Sequence, residues 1–580
     1  MSKKRSVIAL LLFLSVLFTD SFLVQCAKQD ENSEFESYTS SLFLREVSAN
    51  TISLHYTLKD PGAFGISDIP VSLGYMGTDR AAVCASLENE LSLLHSFRQN
   101  QLSRENQLTF EILEHSLNSS LKEAEYLLYE EPLAPLTGTQ AQLPVILSEY
   151  RFYQLSDCED YLELLTQVPE YFRSILEFEQ AKSKAGLFMS DSNADALVKE
   201  CKTFIQMGSS NYLFSSFEER LKELTLSEAE KKRCIDTNRL HIETCVFPAY
   251  QNLIDGLARL RGTGKNNGGL CHLPDGKKYY ELTVASQTGS SRTIPELRTL
   301  TLSQMADDTA AIQKVLAESY KDSGKTDASS TEPRQNILSG TSPEEILNQL
   351  KTGLDGLFPA SPDVDTRIKY VQESMEEYLS PAFYMIPAID DMENNVIYIN
   401  KGHMPDSLSL FTTLAHEGYP GHLYQTTYYS ATSPDPVRNV LSFGGYTEGW
   451  ATYSEMLSYY FTPLTREQAL LTQRNASVIL GLYALADIGI HYDGWSLLDT
   501  VAFFRDYGIR DTSTVEEIYS LIVTDPGNYL KYYIGYVEFL ELKKDAIKKW
   551  GDKFSQERFH KAVLDVGPAP FELLRKYIIR

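Results

Sequence analysis

The run His416-Glu417-Gly418-Tyr419-Pro420-Gly421-His422 puts a proline between two histidines six positions apart, and one continuous α-helix cannot carry it. Pro420 has no N–H to offer the carbonyl of His416, and its ring collides with that carbonyl, so a helix that reaches His416 must break before His422. In an unbroken helix, positions six apart point about 120° away from each other, and the two imidazoles would face different surroundings. A break over Gly418–Gly421, with Gly421 free to take up conformations closed to other residues, turns His422 back toward His416. The chain is organised around this bend and the stretch 408–455 that contains it.

The chemistry follows from what stands near the bend. The pattern is close to H-E-x-x-H, in which two histidines bind zinc and the adjacent glutamate is the base, although the spacing here is H-E-x-x-x-x-H. With 10 histidines in 580 residues, on the order of 0.01 such matches arise by chance. Glu448, in Tyr446-Thr447-Glu448-Gly449-Trp450-Ala451, would complete a His₂Glu set of His416, His422 and Glu448 that leaves a fourth position open for water. Glu417 is then the candidate general base. The bland alternatives are a helix with surface histidines and a solvated carboxylate, or a structural metal site. A structural site needs a fourth protein ligand, and His403 is the nearest spare histidine.

Two further pairs belong to the same region. Glu455 lies seven residues after Glu448 on one helix face, which suits it to accept a hydrogen bond from a ligand histidine. Thr465-Arg466-Glu467-Gln468 is a capping box opening a helix to about Ile490, near whose end Asp487 and His491 are four apart. A carboxylate beside His491 would favour the imidazolium, which can stabilise an oxyanion; a surface i,i+4 pair is the plainer reading.

Apolar residues make up 43% of the chain and charged residues 23%, as in globular proteins, and the length suggests two or three closely packed units. A net charge of −25 with no basic stripe makes nucleic acid a poor partner. At the N-terminus, Lys3-Lys4-Arg5 precedes the apolar run Val7–Phe18, too short for an ordinary membrane span, and Leu23-Val24-Gln25-Cys26 resembles a lipobox. The expectation is an exported protein with 1–26 as signal peptide and lipidation at Cys26, hence attached to a membrane; ordinary cleavage near Ala27 and secretion are the alternative. Six cysteines remain, too few for a disulfide scaffold, so buried thiols or one or two bridges are expected.

Residues 27–37 read as a polar tether, with folding from Tyr38 and a short strand at Thr51–Tyr56. Residues 38–260 read as an N-terminal helical region, from apolar spacings of three and four between Pro and Gly breaks. The Gly-rich Arg261–Gly269 marks the boundary to a zinc-site region, 261–580, with Lys321–Pro333 as a loop. Asn395–Asn400 (NVIYIN) is β-branched and aromatic, hence a strand just upstream of the metal-site helix. Beside a metal cleft it could hold an extended peptide by edge pairing, or it could belong to a small core sheet.

His416–Gln425 (HEGYPGHLYQ), Tyr446–Ala451 (YTEGWA), Asp487–His491 (DIGIH) with Gly494-Trp495-Ser496, and Pro526–Gly535 (PGNYLKYYIG) resemble, in order, the blocks of the bacterial family called domain of unknown function 885; Gly269–Tyr280 resembles an upstream block. The resemblance covers most of the chain from about residue 40. It implies a mainly α, gluzincin-like fold with a small β-sheet beside the metal-site helix, grouped with the zinc metallopeptidases and often an exported lipoprotein; the expectation drawn from site and resemblance together is a zinc hydrolase acting on peptides. It implies His416, His422 and Glu448 as zinc ligands, Glu417 as base, and His491 and Tyr532 as substrate or oxyanion contacts. Tyr533 departs from the lysine expected after that tyrosine. The rival expectation is a surface substrate-binding lipoprotein whose zinc site is structural or inactive.

Overall fold

The computed structural model describes residues 30–323 and 340–579, apart from 68, 374–375, 377–378 and 405. Cys26, the signal region and nearly all of the expected 321–333 loop lie outside the described residues.

Part of the expected tether is helical. Helix α1 (Glu31–Val47) starts with Glu31 and Glu34 in its first turn, where acidic side chains suit the helix dipole. It buries Phe35 against the rings of Phe97 and Phe110, at 5.3 and 6.2 Å. The 51–56 segment is also helical, α2 (Thr51–Thr57), not a strand. Asn50 accepts a hydrogen bond from the amide of Ser53, and this N-cap overrides the short alternation of apolar residues. Helix α3 (Arg104–Ala124), the long α4 (Leu155–Ala185) and α5 (Gly276–Thr288) follow among further helices.

The chain then forms its one described sheet, β1 (Asp365–Tyr370), β2 (Ala382–Met385) and β3 (Asn394–Ile399), in the order β1-β3-β2. β3 is central, parallel to β1 and antiparallel to β2, with Tyr384 opposite Ile397. Its alternation explains its place. Ile397 and Ile399 enter one core with Leu108 and Ile112 of α3 and Tyr280 of α5, while Val396 and Tyr398 enter a second core with Leu164 and Phe172 of α4. The sheet is thus a wall between two helical cores, and full burial of each isoleucine stabilises by about 1.5–3 kcal/mol. The cores cut across the expected 260/261 boundary, because α3 packs with the C-terminal half and β3 with the N-terminal one. A central strand has no free edge, so NVIYIN itself cannot pair with a peptide; β2 and β1 are the edges.

Around the first core lie α6 (Ser407–Glu417), α7 (His422–Ala431), α8 (Gly444–Ser458), α9 (Arg466–Ile488), α10 (Asn528–Trp550), α11 (Gln556–Val566) and α12 (Phe571–Ile578). The architecture is mainly α with a small sheet, as expected. All six described cysteines are free thiols.

Candidate metal centre

α6 starts where Asp406 caps the amides of Leu408 and Ser409 and ends at Glu417, with the Gly418 amide closing its last turn on Leu414. The chain then doubles back: the Gly421 amide returns to the carbonyl of Ala415 at 2.9 Å, and α7 begins at His422. Gly421 is needed for closeness and not for an unusual φ, which is −77°. A Cβ there would lie 1.8 Å from the carbonyl oxygen of His416. The bend is held from α8: Trp450 Nε1 donates to the carbonyl of Pro420 at 2.8 Å and Ser454 Oγ to the same oxygen at 3.3 Å. The two imidazoles meet with ring centroids 4.8 Å apart at 83°.

Glu448, two residues before that tryptophan, brings one carboxylate oxygen to 3.5 Å from His416 Nε2 and 3.4 Å from His422 Nε2. These separations provide a test of fit. Four ligands at about 2.1 Å from a tetrahedral zinc stand about 3.4 Å from one another, so these two edges already have the right length. The donor set, two imidazoles and a carboxylate, is that of catalytic zinc sites. Behind it, His416 Nδ1 faces the Glu455 carboxylate at 3.2 Å, a contact that fixes the orientation of the ring. Burial opposes charge on His416, but hydrogen bonds to Glu448 and Glu455 outweigh it and hold the imidazole well above its usual pKa. Burial likewise opposes charge on Glu448, and the two imidazoles overcome it, holding the carboxyl well below the usual range. A metal entering here must displace the proton on His416.

Glu417 faces the same space: its carboxylate and the two imidazoles offer ligand atoms all within 4.8 Å of one another. Its Oε2 accepts from the backbone amide of Tyr384 at 2.9 Å, a contact with edge strand β2. The sequence held no sign of this contact, because a backbone amide supplies it. The Trp450 anchor on Pro420 had no sequence signal either, since thirty residues separate them.

Tyr532 stands close to the two histidines. Its ring lies 6.2 Å from that of His416 at 30°, and burial, followed by the nearby charges of Glu448 and Glu417, pushes its phenol up. Small residues make this possible. Where α8 crosses α10, a Cβ on Gly449 would lie 2.4 Å from the backbone of Gly535, and one on Gly535 would lie 2.2 Å from the Gly445 carbonyl. The glycines let the helices touch backbone to backbone, bringing Tyr532, one turn before Gly535, beside Glu448.

His491 and Asp487 differ from expectation. His491 is fully buried, its Nδ1 accepting from the Leu270 amide at 3.1 Å and its Nε2 facing the Ile522 carbonyl at 2.8 Å. Both ring nitrogens are engaged, so it has none for an oxyanion, and burial lowers its pKa to about 4. Asp487 does not pair with it, because the helix widens into a π turn at Gly489–Asp493 and the i,i+4 relation is lost. Asp487 instead accepts from the Tyr280 hydroxyl at 2.6 Å and the Gly527 amide at 3.0 Å, joining α5, α9 and the start of α10.

Comparison with known proteins gives a family and a fold. The family model described as "Bacterial protein of unknown function (DUF885)" matches residues 75–578. A solved structure from Colwellia psychrerythraea, provisionally described as a lipoprotein, aligns with a TM-score of 0.81 at 18% identity, covering 95% of this chain and 99% of its own. One from Shewanella oneidensis, provisionally described as a lipoprotein of unknown function, aligns with a TM-score of 0.66 at 16% identity, covering 94% and 100%. No curated protein matches.

Proposed function

The chain belongs to the DUF885 family of bacterial proteins, and we propose that it is an exported zinc-dependent hydrolase acting on peptides. The observation that carries the reading is the Glu448 oxygen standing 3.5 and 3.4 Å from the Nε2 atoms of two histidines that a proline bend brings together. His416, His422 and Glu448 would hold the ion. Zinc bound there supplies Lewis acidity, acidifying water and polarising a carbonyl.

The chain's own residues supply the rest. Glu417, held by the Tyr384 amide on one oxygen, has the other for taking a proton from the attacking water and passing it to the leaving amine. Tyr532 keeps its proton and donates to the developing oxyanion. Glu455 holds the His416 ring in place. β2, an edge strand beside Glu417, offers backbone groups along which an extended peptide can lie. Attachment through a lipid on Cys26 is part of the same proposal, supported by the lipobox-like sequence and by the provisional descriptions of the two solved relatives.

One observation favours a second reading, a closed structural zinc site in a binding lipoprotein: Glu417 is near enough to both histidines to be a fourth ligand. The test of function is metal content together with hydrolysis of a peptide library, before and after removal of metal with a chelator and its restoration with zinc. Zinc-restored hydrolysis supports the enzyme. One stoichiometric zinc with no turnover on any peptide favours the structural site.

A further inference from the structure

Away from the metal centre, a cavity of about 630 Å³ lies where the start of α3, the end of α7, α11 and α12 meet. Arg104, Arg438 and Arg558 line it, and among the described residues none of the three has a carboxylate within 4.0 Å. Instead each is laid over an aromatic ring: Arg104 over Tyr577 at 5.9 Å, Arg438 over Tyr429 at 5.6 Å and Arg558 over Trp550 at 4.2 Å.

Arg438 is the informative one. It is 4% exposed, its Nη2 donates to the carbonyls of Val566 and Pro568, and its buried Nε has no acceptor. A buried guanidinium is normally paired with an anion, and this one has only two carbonyls and the more distant charge of Asp435, which leaves its positive charge incompletely matched beside the cavity. Among the carboxylates of the cavity, Asp435 acts on the Arg438 charge without a direct ion pair, and both it and Asp565 are hydrogen-bonded to other groups. Asp435 accepts from the Thr39 hydroxyl and the Val437 amide, and Asp565 from Lys561 and Tyr428. Glu105 is exposed in the first turn of α3. Arg104 and Arg558 each donate one hydrogen bond, to the carbonyls of Tyr577 and Lys553, which leaves most of their N–H groups free to turn inward.

We propose that this cavity binds a phosphate-bearing ligand, with the phosphate against Arg104, Arg438 and Arg558 and an apolar body against Trp550 and Tyr577. Arginine suits this role through its planar fork of donors, which matches phosphate oxygens, and the rings keep each fork in place. A chain of net charge −25 repels anions in general, so binding here is local and not a property of the whole surface. Two sources carry this chemistry, a soluble phosphomonoester and the headgroup of an anionic phospholipid. The cavity adjoins α1, through Thr39 on Asp435 and through Asn32 on the Ser103 amide.

The test uses the full chain with Cys26→Ser, so that no lipid anchor contributes. Glycerol 3-phosphate is titrated calorimetrically, and phosphatidylglycerol vesicles are compared with phosphatidylcholine vesicles by co-sedimentation. Arg104→Gln and Arg558→Gln lie at exposed positions and leave the buried Arg438 in place, so folding is retained and checked by the unfolding temperature. Saturable binding of glycerol 3-phosphate, weakened about tenfold by each substitution, supports the site with a soluble ligand. Binding to phosphatidylglycerol vesicles alone, weakened by the same substitutions, supports it with a headgroup. Absence of saturable binding to either, or equal binding by parent and both variants, overturns the proposal.

Discussion

The crossing of α8 and α10 invites a test at Gly449. An alanine there places a Cβ 2.4 Å from the backbone of Gly535, and ordinary contact begins at 3.4 Å, so the helices must separate by about 1 Å. No flexible side chain is available to yield, because the atoms in the way are backbone. Overpacking of this kind costs about 1–3 kcal/mol, partly offset by roughly 1 kcal/mol from the better helix propensity of alanine. At about 2.1 cal/mol/K per residue over 580 residues, even 3 kcal/mol lowers Tm by only about 2–3 °C. The site is far more sensitive, since Tyr532 sits one turn from Gly535 and Glu448 is next to Gly449, and a misplacement of about 1 Å costs about 10²-fold in rate. Gly449→Ala should therefore lose about 10²-fold in kcat on a peptide substrate while its melting curve barely moves. Gly77→Ala, where nothing lies within 4 Å of the added Cβ, is the control and should be silent. A Gly449→Ala protein with parental turnover would refute the idea that this contact sets the geometry of the site.

Three more outcomes follow from the same structure. Glu455→Gln removes the carboxylate at His416 Nδ1 and should weaken zinc affinity about 10–100-fold, measured by competition with a chelator of known strength. His491→Ala leaves the Leu270 amide and Ile522 carbonyl without partners, at about 1–3 kcal/mol each. Denaturant unfolding should shift accordingly while kcat stays within about threefold; the opposite pattern would restore an oxyanion role. Two buried histidines should also cost stability in acid. Burial lowers His491 to about 4 and His560 to about 3, so both are neutral in the folded state and titrate near 6.5 when unfolded. Their contribution is complete above about pH 6.5 and is lost as pH falls toward the folded values, because the unfolded chain then binds more protons. At pH 5 the loss is about 2 kcal/mol for each; burial pushes Asp487 up to about 8, which works in the opposite sense, so the histidine contribution is read as the difference between the parent and His560→Gln in the change of unfolding free energy from pH 7 to pH 5.

The site was legible in the sequence where covalent rules decide, and obscure where tertiary contacts do. Pro420 between His416 and His422 forces a break whatever surrounds it, so the bend and the meeting of the two imidazoles could be expected. Glu455 was placed by helix periodicity alone. His491 was misread because its four-residue spacing from Asp487 presumes a regular helix, and Trp495 packing over Gly489 accompanies a π turn there. The start of the fold was misread for a related reason: the composition of 27–37 is polar, but Phe35 finds an aromatic pocket made by residues more than sixty positions away. Asn50, one capping side chain, decided the helix at 51–57 against its alternating pattern. The amide of Tyr384 holding Glu417 had no counterpart in any side chain and was beyond reach.

The most direct measurement is a comparison of Glu417→Gln and Glu448→Gln with the parent, for zinc content and for turnover on one peptide pool. Glu417→Gln keeps the shape beside the Tyr384 amide but removes the base. It should retain the parental zinc content and fold while losing about 10²–10⁴-fold in rate. Glu448→Gln should lose zinc affinity as well as turnover, since it alters the oxygen that stands between the two imidazoles. Zinc retained with turnover lost in Glu417→Gln, and both lost in Glu448→Gln, is the predicted result. A Glu417→Gln protein that hydrolyses peptides at the parental rate, or one that loses its zinc as Glu448→Gln does, would contradict the assignment of Glu417 as base in an open metal site.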